Sequence, residues 1–126
     1  MATLPEIATQ AWENREGPVV LTTVDSDGIP NTIYVTCVKK ISDSQIVVAD
    51  NKMNKTRANL KAGGTVSLLY ITGEKKAIQI KGTAQYQTSG AIFDDMKTRW
   101  LDKKYPGHAA VVIDIAEVYN GAEKLA

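Results

Sequence analysis

The β-branched runs of this chain turn back on themselves across short polar clusters, and this limits its fold more than any other feature. Val19 to Val24 is followed by Asp25-Ser-Asp-Gly-Ile-Pro30, dense in turn-forming residues, and then by a second run from Asn31 to Val38. That spacing predicts a hairpin. Ser42-Asp-Ser44 then leads into Gln45 to Ala49, and Gly73-Glu-Lys-Lys76 separates Thr65 to Ile71 from Ile78 to Tyr86. A doubly wound parallel sheet needs a helix in each crossover, and these connections leave no room for one. With Ala109 to Val118, six strands joined mostly by short turns predict a mainly β fold: a six-stranded antiparallel Greek-key barrel with a few helices covering its openings.

The strands differ in how their faces read. Ile78, Ile80, Gly82, Ala84 and Tyr86 alternate with Gln79, Lys81, Thr83 and Gln85, so one face is dry and the other wet. Gly82 in mid-strand predicts a bulge, a barrel bend or the close approach of another group. Thr65 to Ile71 is apolar enough to be buried on both faces. In the second run, Ile33, Val35 and Cys37 form a core face, and Thr32, Tyr34 and Thr36 a face of hydroxyls. Those hydroxyls suit a polar ligand or the exposed face of an ordinary strand.

Two stretches read as helices, besides the one that follows Asn54. Pro5 to Glu16 carries the pairs Ile7 with Ala11 and Ala8 with Trp12, stops at Gly17-Pro18, and is expected to cover one end of the sheet. Ser89 is placed to cap another helix, in which Ile92, Phe93, Met96 and Trp100 recur at helical spacing as a core stripe. Lys103-Lys-Tyr-Pro-Gly107 ends it. Gly121 to Ala126 reads as a frayed tail unless a partner chain pins it.

Composition removes several function classes. Fifteen Lys and Arg against fourteen Asp and Glu give a net charge of +1, so no global field attracts nucleic acid or an anionic membrane. One cysteine, Cys37, and one histidine, His108, exclude an internal disulfide and a multi-cysteine or multi-histidine metal site. Cys37 falls on the core face and is assigned no chemistry. No basic segment precedes an apolar run at the N-terminus, and no stretch approaches eighteen consecutive apolar residues. The expectation is one domain spanning residues 1–126, soluble and cytoplasmic.

Val47 to Leu60, reading VVADNKMNKTRANL, carries the main functional signal. It is an apolar strand, a polar loop and a helix start with Asn54 at the N-cap and Gly63 as the stop. Lys55 and Arg57 then sit in the first turn, where the helix end already carries roughly half a positive charge and cations are unfavourable. An anion at the helix start, held by backbone N–H groups, the Thr56 hydroxyl and the Lys55 ammonium, resolves that conflict, and a phosphate is the natural candidate. The other reading is a solvated basic turn with its long side chains pointing away.

With that order in view, Gly28-Ile-Pro30 with Asn31-Thr32, Val47-Val-Ala49, Met53-Asn-Lys-Thr-Arg-Ala-Asn59 and Ile80-Lys-Gly-Thr-Ala84 together resemble the pyridoxamine 5'-phosphate oxidase-like family of FMN-binding split barrels. The short bacterial FMN-binding proteins of that family are the most similar type. The resemblance implies FMN as cofactor, with Lys55 and Thr56 on its phosphate and Asn54 beside them. It places Asn31, Thr32 and Ile33 along the flavin, and has Val48 and Ala49 offer backbone groups to the polar edge of the ring. It also implies a homodimer with flavin at the interface, in which Tyr105 and His108 are candidates to complete the partner's site. Oxidases of vitamin B6 in this family carry more arginines and a C-terminal Trp-Arg-Leu-type segment. This chain has only Arg15, Arg57 and Arg99 and ends Tyr119-Asn-Gly-Ala-Glu-Lys-Leu-Ala, which speaks against vitamin B6 oxidation.

No Ser-His-Asp, Cys-His or paired-carboxylate arrangement is visible, as expected where a cofactor is the reactive group. The expected function is therefore that of an FMN flavoprotein, a small oxidoreductase or electron carrier with an unnamed redox partner. The alternative is a non-redox module that binds or stores FMN or another phosphorylated ligand such as pyridoxal phosphate. An oligonucleotide-binding barrel shares the strand count but lacks a basic groove and stacking platforms here.

Overall fold

The structure, a computed structural model, describes residues 2–126. Its strands are β1 (Val19–Val24), β2 (Pro30–Val35), β3 (Val38–Lys40), β4 (Gln45–Asp50), β5 (Thr65–Ile71), β6 (Ala77–Gln87), β7 (Ala109–Asn120) and β8 (Glu123–Lys124). Helix α1 is Glu6–Glu13, α2 is Lys55–Ala62, and α3 is Ala91–Asp95, which runs on into a π-helical turn over Met96–Trp100. All strands belong to one antiparallel sheet ordered β2-β1-β5-β6-β7-β4-β3, with β8 on β7.

The mainly β antiparallel architecture is the expected one, but the strand count rises to eight. The run expected as one strand, Asn31 to Val38, breaks at Thr36-Cys37. Val35 ends its pairing with β1, and Val38 begins pairing with β4 at the opposite end of the sheet. Because two residues join the first and last strands of the order, the sheet curls on itself into a split barrel. The C-terminal tail supplies the eighth strand: Gly121 takes a positive φ of 58°, and Glu123–Lys124 folds back on β7 with Leu125 N–H on the Val118 carbonyl. The chain's own sheet edge pins this tail.

Inward-facing residues of β1, β4, β5, β6 and β7, among them Leu21, Ile46, Leu68, Ile80 and Ile113, fill the barrel. Helix α1 covers one opening with Ala8, Ala11 and Trp12. The Tyr70 hydroxyl donates to the Ala8 carbonyl at 2.9 Å, and the Trp12 and Tyr70 rings meet edge to face at 5.1 Å. A second, smaller cluster lies outside the barrel, where Met96, Leu101, Ile92 and Phe93 pack on Val47, Ala49, Ala110 and Val112. That layer buries both faces of β4 and β7. β5 was expected to be the doubly buried strand; instead it alternates, and Leu69 and Ile71 stand 42% and 40% exposed because no helix covers its outer face.

Gly82 sits where the β6–β7 register shifts at a bulge, and a Cβ there would overlap the Asp114 carbonyl oxygen, so both the bulge and the close approach are real. The third helix starts at Ala91 behind Gly90, and Ser89 makes no cap. The π-turn's Leu101 N–H donates to Met96 C=O at 2.9 Å. This extra residue per turn brings Met96 and Leu101 onto the sheet together.

Candidate functional site

β2, the end of β4, the following loop and the first turn of α2 enclose a concavity of about 570 Å³, within the range of small-molecule sites. Six of the expected residues line it: Asn31, Ile33, Ala49, Asn54, Lys55 and Thr56. Strand alternation turns Asn31, Ile33 and Val35 inward along β2, across from the α2 start, while Tyr34 and Thr36 border the concavity from the alternate positions.

Two expected residues fall outside. Thr32 lies between Asn31 and Ile33 and so faces the other way, its hydroxyl 3.0 Å from that of Thr22. Val48 is fully buried in the barrel core beside Ala49. Ala49 does line the concavity, but its N–H is committed, donating to the Cys37 carbonyl at 2.9 Å.

The α2 start is built differently from expectation. Asn54 occupies the N-cap, but its side chain makes no capping hydrogen bond, and Gly63 ends the helix with φ 86°. Thr56, 1% exposed, accepts from Asn31 Nδ2 at 2.9 Å. Its own O–H proton is free to be donated. The Lys55 ammonium rests 3.5 Å from Asp25 Oδ2 while more than half its side chain stays in solvent. Asp25 also accepts from the N–H groups of Ile29 and Asp27, and these bonds, the one from Ile29 foremost, hold its carboxyl below the usual range.

Arg57 does not face the concavity. Its guanidinium grips Asp50 at the end of β4, Nε to Oδ2 at 2.6 Å and Nη2 to Oδ1 at 3.0 Å. The Tyr86 hydroxyl from β6 and the Met53 N–H complete the shell of that carboxylate. Burial pushes the Asp50 carboxyl up, but the bonds from Arg57, Tyr86 and Met53 outweigh it and leave the group below its ordinary value. Sequence reading had missed this cluster. The available signal was an aspartate closing an apolar strand seven residues before an arginine on the next helix.

Other residues line the concavity as well. Asn51, Lys52 and Met53 come from the loop, Tyr34, Val35, Thr36 and Cys37 from β2 and its break, and Tyr105 from the segment before β7. Tyr105 thus lies on the wall of its own chain's concavity. His108 lies outside, exposed, with its backbone N–H on the Asp50 carbonyl. Among the described residues no cluster of His, Cys, Asp and Glu is arranged to hold a metal, and no helix is long and apolar enough to cross a membrane.

The model of the pyridoxamine 5'-phosphate oxidase family matches residues 6–123. The chain belongs to that family. An uncharacterized protein of Methanocaldococcus jannaschii is 31% identical over 106 residues, which are 81% of this chain and 71% of that one. Among solved structures, HupZ of Group A Streptococcus superposes with a TM-score of 0.81 at 22% identity, covering 93% of this chain and 98% of its own. An FMN-binding protein of Syntrophomonas wolfei superposes at 0.70 with 24% identity, covering 81% and 75%. The split barrel of the pyridoxamine 5'-phosphate oxidase family is therefore the fold of this chain.

Proposed function

We propose that this protein binds FMN in the β2–α2 concavity and works as a small oxidoreductase or electron carrier. The observation that carries the reading is the α2 start: a first turn without a side-chain cap, with Lys55 and the Thr56 hydroxyl, opening onto a concavity of about 570 Å³. Membership of the family and the likeness to a structure described as an FMN-binding protein support the same reading.

The residues present suit that ligand. Free N–H groups of the first turn and the Lys55 ammonium are donors for a phosphate dianion, and Thr56 adds its hydroxyl because Asn31 already serves the oxygen as a donor. Ile33, Val35 and Met53 form apolar walls against which a planar ring is shielded from water. Bound flavin supplies the redox chemistry; the chain supplies grip, orientation and a dry wall. Asp25 opposes the phosphate in charge, and its contact with Lys55 holds that ammonium at the rim.

A homodimer is part of this proposal. Tyr34, Val20 and Leu69 form one cross-strand row on the outer face of β2, β1 and β5, with Ile71 two residues beyond. Tyr34 is 75% exposed in the isolated chain. A second copy is the natural cover for such a row.

The decisive experiment is the absorbance spectrum of the purified protein, followed by release of its cofactor and measurement of the mass. FMN is the expected species. A colourless protein that also fails to take up added FMN refutes the proposal, and uptake of pyridoxal phosphate in its place establishes the rival module.

A further inference from the structure

We infer that Asp50, Arg57 and Tyr86 act as a positioning unit that holds loop 51–54 and the first turn of α2 in the geometry that receives a phosphate. The inference rests on the FMN reading above. Residues 51–56 all line the concavity, whereas Asp50, Arg57 and Tyr86 do not. The three lie behind that lining, on β4, α2 and β6.

Asp50 is fully buried and all its carboxylate donors come from the protein. Oδ1 accepts from Met53 N–H at 3.1 Å and Arg57 Nη2 at 3.0 Å, and Oδ2 accepts from Arg57 Nε at 2.6 Å and the Tyr86 hydroxyl. The bond to Met53 closes the loop upon itself. The pair of bonds to Arg57 sets the azimuth of α2, and the bond from Tyr86 fixes the carboxylate against the barrel rim. Two further bonds staple the loop from the other side: His108 N–H to Asp50 C=O at 2.8 Å, and Gly107 N–H to the Asn51 side-chain oxygen at 3.0 Å.

An ion pair of this kind, with the Asp50 carboxylate buried and the Arg57 side chain still 32% exposed, is a poor source of stability, since screening weakens it on one side and desolvation costs it on the other. What it supplies is direction: a bidentate guanidinium fork tolerates little rotation. It also settles the charge at the site. With Arg57 turned away onto Asp50, Lys52 and Lys55 are the two cations lining the concavity. The rigidity of a binding site depends on such supporting bonds as much as on the residues in contact.

Riboflavin lacks the phosphate of FMN but shares its ring, so the ratio of the two dissociation constants isolates the phosphate contact. Titrations of both flavins into wild type, Asp50→Asn and Tyr86→Phe test the unit, with melting temperature recorded for each. Expected is a loss of roughly tenfold or more in FMN affinity for Asp50→Asn and a smaller loss for Tyr86→Phe, with riboflavin changed by less than about twofold. Tyr86→Phe retains the ring and carries the test if Asp50→Asn does not fold. Equal losses for both flavins, an unchanged ratio, or a gain in FMN affinity from a liberated Arg57 each overturn the inference while leaving the FMN reading intact. A wild-type protein that binds neither flavin overturns that reading, and the inference with it.

Discussion

Asn31 Nδ2 donates to Thr56 Oγ1 across 2.9 Å, tying the edge strand of the sheet to the first turn of α2. Thr56 is almost wholly buried, and its hydroxyl both satisfies Asn31 and keeps a proton of its own to donate. Thr56→Val keeps the shape and removes both. The expected outcome is a loss of roughly 1 to 3 kcal/mol in stability from the orphaned amide, read by denaturant melts. FMN affinity should fall as well while riboflavin affinity holds.

Lys55→Ala should weaken FMN binding by roughly 1.5 to 3 kcal/mol, about ten- to hundredfold in Kd, through loss of one charge-assisted contact. The ammonium is mostly in solvent and meets only Asp25 at 3.5 Å, so the melting temperature without flavin should barely move. An unchanged affinity by calorimetric titration removes Lys55 from the site.

Gly82→Ala is expected to be the most damaging conservative change in the sheet. The added methyl runs into the Asp114 carbonyl and neighbouring backbone, which cannot swing aside as a side chain would. The cost should exceed the roughly 1 to 3 kcal/mol usual for overpacking. Poor soluble yield or a melting temperature many degrees below wild type is the expected result, and wild-type stability would show that the bulge relaxes freely.

Stability should fall in alkali. Burial pushes the phenols of Tyr70 and Tyr86 up from their ordinary values, Tyr86 further through its bond to Asp50. A group whose folded pKa is raised contributes stability that is complete below its unfolded value of about 10 and is lost as pH climbs through the folded value. Melting temperature should therefore decline above about pH 10, and Tyr70→Phe should flatten that decline. At the acid end the sign reverses: Asp50, held below its ordinary value, contributes above about pH 4 and is lost as pH drops further.

Leu69→Asp places a charge in the exposed Tyr34–Val20–Leu69 row without touching the core. If that row is where two copies meet, sedimentation should show a dimer for wild type and a monomer for the variant. A variant that sediments as wild type does would place the contact elsewhere.

Local chemistry explains which parts of this molecule were legible from sequence. Turn clusters at 25–30, 42–44 and 73–76 are dictated by a few residues each, and all three appear as hairpins. Gly82 announced its bulge because a glycine in an otherwise alternating strand needs a reason. The break at Thr36-Cys37 had no such signal: alternation continues across it, and only the distant partners β1 and β4 decide where one strand stops. The outer helix layer misled in the same way, since Thr65 to Ile71 is as apolar as a doubly covered strand and its coverage is a tertiary matter. Residues 54–56, singled out by two cations in one helix turn, do line the concavity, although Asp50 rather than an anion there answers Arg57, half of that conflict. Thr32 was placed along the flavin although the side-chain period of two turns it away from Asn31 and Ile33, and Val48, expected to offer backbone groups, lies in the barrel core outside the lining. Arg57 was read with Lys55 because sequence neighbours do not reveal that the aspartate closing the preceding strand is buried and turned onto it.

The two-residue link at Thr36-Cys37 also bears on divergence. Since it ties the outermost rungs of the sheet together, the width of the cleft is set mainly by covalent length and strand number, and less by how particular side chains interlock. A barrel that shares only 22% of its residues with this one superposes on it with a TM-score of 0.81, so the frame survives wide exchange of side chains. Selection is then free to refurnish the walls without rebuilding the house.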